Sequence, residues 1–131
     1  MKLRNERLDE IVVLVVDDFA DTRWAISHLL ELHGFRVLQA EDGLQAMSQL
    51  AAGPADLIIT DLHMGEMDGL AFIQAARALR GAGPRIIAMT GWKDGSLEVA
   101  IEIGADRVLR KPVGRKNLMA TVRSLLTEPG S

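Results

Sequence analysis

No cysteine occurs among the 131 residues, so disulfides, thiolate catalysis and cysteine metal sites are all excluded. The absence fits a reducing cytoplasm. Only four prolines are present, and no low-complexity linker or internal repeat divides the chain. Long hydrophobic runs are also missing. The first apolar run, "IVVLVV" from Ile11 to Val16, stops at Asp17, too short for a signal core or a bilayer span. It follows "MKLRNER", which is basic like a signal n-region but leads into "LDE". Nor is there an excess of positive charge. Fifteen Lys and Arg face eighteen Asp and Glu, net -3, which gives no reason to expect direct nucleic-acid or anionic-membrane binding.

What is present is the composition of one folded globular domain, 48% hydrophobic and 25% charged. Two kinds of segment alternate. Residues 11–16, 36–40, 56–60, 85–90 and 106–110 are short and rich in Val, Ile and Leu. The first, third and fourth of these show little alternation, as expected of strands covered on both faces. Between them lie stretches with helical spacing. In 21–34, Trp24, Ile26, Leu29, Leu30 and Leu32 predict a broad apolar stripe, ended at His33-Gly34. In 43–53, Leu44, Met47 and Leu50 repeat at i, i+3, i+6 before Gly53-Pro54. Residues 69–83, 96–104 and 116–126 complete the set. The order is β-α five times, an α/β doubly wound parallel sheet with right-handed crossovers.

In such sheets the site lies at the carboxyl ends of the strands. Those ends carry Asp17-Asp18, Thr60-Asp61, Thr90-Gly91 and Lys111-Pro112. Glu41-Asp42 ends the second strand, where an outer position keeps it from the centre. Three carboxylates, a hydroxyl and an ammonium therefore converge, and a cation is needed among the acids. All-oxygen ligands suit Mg²⁺. A carboxylate can then accept a phosphoryl group, with Lys as a point charge and Thr as a donor on its oxygens. Taken singly, each residue has an ordinary structural reading. Asp17, Asp18 or Asp21 could cap a helix, Asp61 could be a loop acid, Thr90 a strand residue and Lys111 a solvated lysine. Their shared edge is what favours function.

The stretches "VLVVDDFADTR", "LIITDLHMGEMDGLAFI", "RIIAMTGW" and "GADRVLRKPV" together resemble a response-regulator receiver domain of two-component signalling, over roughly Ile11 to Leu126. The resemblance implies the flavodoxin-like strand order 2-1-3-4-5. It implies Asp61 as phosphoacceptor. Asp17 and Asp18 would hold Mg²⁺, Asp18 directly, with Asp61 and the backbone carbonyl of His63 completing the ligand set. Lys111 would contact the phosphoryl group, through a peptide bond to Pro112 that is usually cis, and Thr90 would be the switch hydroxyl. The donor would be a phosphohistidine on a sensor histidine kinase or histidine phosphotransfer protein.

Several positions depart from the family pattern. Gly65 follows Met64 where Pro is usual, and Val113 follows the Lys-Pro pair where Phe is common. Val108 stands where Tyr or Phe normally turns inward as the threonine moves, and a valine cannot report in that way. Trp92 and His63, each two residues beyond a site residue, should flank the path of a water attacking an aspartyl phosphate. The bulk of Trp92 would then slow hydrolysis; alternatively it packs on the fourth helix. His28 and His33 share no helical face well and read as structural. His63 could exchange a proton at the site.

The leading expectation is a phosphorylation-controlled signalling module acting on a downstream protein target or in a relay. It would be cytoplasmic, with a receiver at 11–126, an N-terminal extension at 1–10 and a tail at 127–131. It would transfer phosphate to itself and lose it slowly, without turnover as an enzyme. A Mg²⁺-dependent aspartyl-phosphate phosphatase is the alternative, but it needs a second Asp where His63 stands. A scaffold independent of phosphorylation is a third reading. Nucleotide binding is a poor fit, because "DDFADT" has no glycine to approach a pyrophosphate and the wrong charge.

Overall fold

The structure is a computed structural model, and it describes residues 10–65, 67–79 and 83–128. Five strands and five helices alternate. They are β1 (Val12–Val16), α1 (Ala20–Leu32), β2 (Arg36–Ala40), α2 (Gly43–Ala52), β3 (Leu57–Asp61), α3 (Gly69–Leu79), β4 (Arg85–Thr90), α4 (Ser96–Ile103), β5 (Arg107–Arg110) and α5 (Arg115–Thr127). All pairings are parallel, in the order β2-β1-β3-β4-β5. The expected fold and order are therefore observed. Most of the 1–10 extension, and residues 129–131 of the tail, lie outside the described residues.

The apolar character of the central strands follows from their being covered twice. Val13, Val15, Leu57, Ile59, Ile87 and Met89 face Ile26 and Leu30 of α1 and Leu118, Val122 and Leu125 of α5. Leu14, Val16, Ile58, Ile86 and Ala88 face Leu50, Phe72, Ile73, Leu97 and Ala100 on α2, α3 and α4. Each such fully buried aliphatic side chain is worth roughly 2 kcal/mol. The two-residue period leaves no room for a register slip, which would put every side chain on the wrong face.

Two expected helical stripes need correction. On α1 the buried positions are Arg23, Ile26, Ser27 and Leu30, whereas Trp24 and Leu32 are exposed. On α2 they are Gly43, Ala46 and Leu50, and Leu44 points to solvent. In both cases a large side chain drew the stripe toward itself. The buried face of α1 instead runs through Ile26 and Leu30 with Arg23 and Ser27, and that of α2 through the small Gly43 and Ala46 with Leu50.

The ladders run past the strand ends and deliver the loop residues to one edge. Asp17 N–H donates to the Ala40 carbonyl, Leu62 N–H to Met89, and Lys111 N–H to Thr90. The Lys111–Pro112 peptide bond is cis. The start of α3 is pressed against the end of β3. A Cβ on Gly69 would lie 2.2 Å from the Asp61 carbonyl oxygen and 2.6 Å from the Leu62 Cα, both backbone atoms that cannot swing aside. Gly69→Ala should therefore destabilise the protein by about 1–3 kcal/mol, the usual cost of overpacking, read as a lower urea midpoint at unchanged slope.

Candidate functional site

Asp17 directly follows β1 and has no exposure to solvent. Every polar group it carries is engaged. Its N–H is in the ladder, Oδ1 accepts from the Phe19 amide at 2.9 Å, and Oδ2 accepts from Lys111 Nζ at 2.9 Å. Its carbonyl accepts from Arg23 Nη1 at 2.9 Å. Asp61, the last residue of β3, is also buried, and its Oδ2 lies 3.5 Å from Lys111 Nζ. Its Oδ1 is approached by the His63 amide, also at 3.5 Å. Asp18 is exposed beside them. Carboxylate oxygens of Asp17, Asp18 and Asp61 all lie within 4.8 Å of one another, the one such acidic cluster among the described residues.

Three carboxylates around one ammonium leave an excess of negative charge. Burial raises the Asp61 carboxyl above the ordinary carboxylate range. The Lys111 charge pulls it back, the Asp17 charge pushes it up again, and the His63 amide lowers it somewhat. The donor set, three carboxylates with one exposed toward solvent, fits a hard divalent cation such as Mg²⁺.

Thr90 ends β4, fully buried. Its Oγ1 accepts from the Trp92 amide at 3.0 Å, so the hydroxyl already holds the turn that follows the strand. The Trp92 carbonyl accepts from Arg110 Nη1 at 2.7 Å. The indole finds a ring partner in His63. It is 60% exposed and stacks on the His63 ring, with centroids 3.9 Å apart at 13°. His63 Nε2 lies 3.3 Å from Asp94 Oδ2 and 3.5 Å from Ser96 Oγ. Both contacts fall on the same nitrogen, so the three residues cannot form a proton relay, which needs one partner on each nitrogen. Hydrogen bonds from the Ser96 hydroxyl and amide hold the Asp94 carboxyl below its ordinary range, helped by His63. His33 Nδ1 contacts the Leu29 carbonyl at 3.0 Å, a local helix contact, and His28 is exposed.

The structure thus brings Asp17, Asp18, Asp61 and Lys111 together, with Thr90 one strand away and His63 over the edge. None of Asp17, Asp18 and Asp21 is the N-cap residue of α1, although Asp17 Oδ1 holds the Phe19 amide and Asp21 lies in the first turn. The N-cap of α1 is Phe19, without a side-chain cap bond. Sequence reasoning missed Arg23, which is nearly buried and hydrogen-bonds to the Asp17 carbonyl. A signal was available, since Arg23 shares the 3.6-residue face of Ile26, Ser27 and Leu30, where a charged residue needs an explanation.

A raised folded-state value means that the ionised Asp61 opposes folding. Stability from this group is intact below the ordinary carboxylate value near 4 and is lost as pH rises through the elevated one. In chelator, Asp61→Asn should therefore melt a few degrees above wild type at pH 7. The gain should shrink to nothing as pH falls toward 4. Calorimetry across that range checks both.

The chain is similar to known proteins over most of its length. The family model described as "Response regulator receiver domain" matches residues 13–123. Transcriptional regulatory protein ZraR of Escherichia coli is 37% identical over 126 residues, covering 94% of this chain and 28% of that protein. Transcriptional regulatory protein PrrA of Mycobacterium tuberculosis is 34% identical over 119 residues, 91% of this chain and 51% of PrrA. The chain spans about half or less of these relatives. Among solved structures, the chemotaxis response regulator CheY4 of Vibrio cholerae superposes with a TM-score of 0.81 at 29% identity, covering 88% of this chain and 98% of that one. With 13–123 matched by the family model, the chain belongs to the response-regulator receiver domain family.

Proposed function

We propose that this protein accepts a phosphoryl group on Asp61 from a phosphohistidine and signals through protein contacts. The observation that carries this is the placing of Lys111 Nζ between Asp17 and Asp61, at 2.9 and 3.5 Å, beside a third exposed carboxylate. In this reading an Asp61 carboxylate oxygen attacks phosphorus and the P–N bond breaks. The electron pair returns to the donor imidazole, which takes up a proton. Lys111 neutralises a phosphoryl oxygen, and its tie to Asp17 keeps the ammonium aimed while the acceptor is free. Thr90, whose Oγ1 is used here only as an acceptor, keeps its O–H proton for a phosphoryl oxygen. Asp17, Asp18, Asp61 and the His63 carbonyl would hold Mg²⁺. When bound, the ion supplies charge neutralisation and alignment of the transferring group.

The donor in this reading is a sensor histidine kinase or a histidine phosphotransfer protein. An apolar groove lined by Ala25, Ile26, Leu29, Val113 and Leu118 runs between α1 and α5. It continues to Lys111 and Asp21, where a donor helix would bring its histidine to the acids. The receiver unit would be 11–126, with 1–10 as an extension and 127–131 as a tail, working in the cytoplasm on a downstream protein target. Phosphatase turnover is disfavoured because the residue two beyond Asp61 is His63, whose Nε2 is turned to Asp94 and Ser96. The activity would be limited to phosphotransfer onto itself and slow loss of the group.

Intact mass after incubation with acetyl phosphate and Mg²⁺ tests the reading. Wild type should gain one phosphoryl group, with none gained in chelator or by Asp61→Asn. An adduct that persists in Asp61→Asn would overturn the assignment. In the same assay Trp92→Ala should lose its phosphate several-fold faster, since in this reading the bulk of the stacked His63–Trp92 pair hinders an attacking water. An unchanged decay would leave the stack a purely structural contact.

A further inference from the structure

Resting on the reading of this edge as a Mg²⁺ site, we infer that Arg23 is the positioning residue that orients its acidic ligands. Arg23 is 9% exposed and, among the described residues, makes no ion pair. A nearly buried guanidinium without a carboxylate partner is costly, so its hydrogen bonds should show what it is kept for. There are two. Nη1 donates to the Asp17 carbonyl at 2.9 Å, and Nε donates to Gln39 Oε1 at 3.1 Å.

The Asp17 carbonyl belongs to the peptide group that also carries the Asp18 nitrogen. That group is planar, so a fixed carbonyl fixes the direction in which the chain leaves toward Asp18. Asp17 itself is already tied by Ala40, Phe19 and Lys111. Asp18 is exposed, and no side-chain hydrogen bond of its own locates it among the described residues. Its carboxylate is thus aimed mainly through the backbone that Arg23 grips. The grip is rigid because the planar guanidinium is held at two nitrogens. Gln39, its second anchor, pairs with Val15 in the sheet, and its carbonyl accepts from Gln49 Nε2 on α2 at 2.7 Å. Lysine could keep the charge but could not span both acceptors in one plane. The guanidinium touches neither Asp61 nor Lys111, so its effect should fall on metal affinity and leave the phosphoryl chemistry alone.

Isothermal titration calorimetry with MgCl₂ on the whole chain tests this, beside urea unfolding to establish that each variant is folded. Arg23→Gln should weaken Mg²⁺ by about tenfold, the range found when outer-shell partners of ligands are removed. Arg23→Lys should recover only part of the loss. With saturating Mg²⁺, the rate of phosphorylation by acetyl phosphate should return to within about twofold of wild type, as expected when a change acts on binding rather than on the transition state. Gln39→Ala, at an exposed residue, removes the brace alone and should weaken Mg²⁺ in the same direction. It decides the matter if the Arg23 variants do not fold. Unchanged Mg²⁺ affinity in folded Arg23→Gln, or in Gln39→Ala, would overturn the inference. Absence of Mg²⁺ binding by wild type would instead overturn the site itself, so the two failures are told apart.

Discussion

The crowding of negative charge at the carboxyl edge of the sheet is the constraint on which the rest of this molecule depends. Backbone ladders bring Asp17 and Asp61 to adjacent strand ends, and both are buried. One ammonium, Lys111, stands against three acids whose oxygens lie within 4.8 Å. Such an arrangement costs free energy that a bound cation would offset, and that unmet demand is what the proposed chemistry of the edge rests on. The apolar strands, covered on both faces, supply the stability that tolerates it.

Much of this was legible in the sequence, for physical reasons that differ by residue. Strands β1, β3 and β4 are buried on both sides, so their runs of Val, Ile and Leu stand out from the amphipathic helices. Each such run ends on a residue of the edge or directly before one, so Asp17, Asp61 and Thr90 are legible from the sequence. The rest depends on three-dimensional contacts that spacing does not encode. The α1 stripe was drawn through Trp24 and Leu32, because size suggests burial and close helix–sheet approach instead selects Ile26, Ser27 and Leu30. The His63–Trp92 stack joins residues 29 positions apart on different loops. Arg23 lies on the apolar face of α1, and that placing of a charged residue is its only mark in the sequence.

The loop after β4 gives the departures from the family pattern a structural setting. Val108 is a half-buried aliphatic packed on the α2–α4 side of the sheet, with no ring to swing. Trp92 instead touches three parts of the edge. Its amide is held by Thr90, its carbonyl by Arg110, and its ring by His63. Gly65, in place of proline, sits in open space and crowds nothing. The acids and the lysine of the edge therefore stay in place while the residues around them differ.

The central claim is that the three acids are held for a divalent cation, and a melting titration tests it directly. Melting temperature is followed against MgCl₂, with NaCl at matched ionic strength as reference. A ligand that binds only the folded state stabilises by about 2.7 kcal/mol at a hundred times its dissociation constant. Wild type should therefore melt several degrees higher in MgCl₂ than in NaCl, and Asp17→Asn should lose most of that difference. Equal curves for the two salts, in a wild-type protein that is folded throughout, would contradict the account.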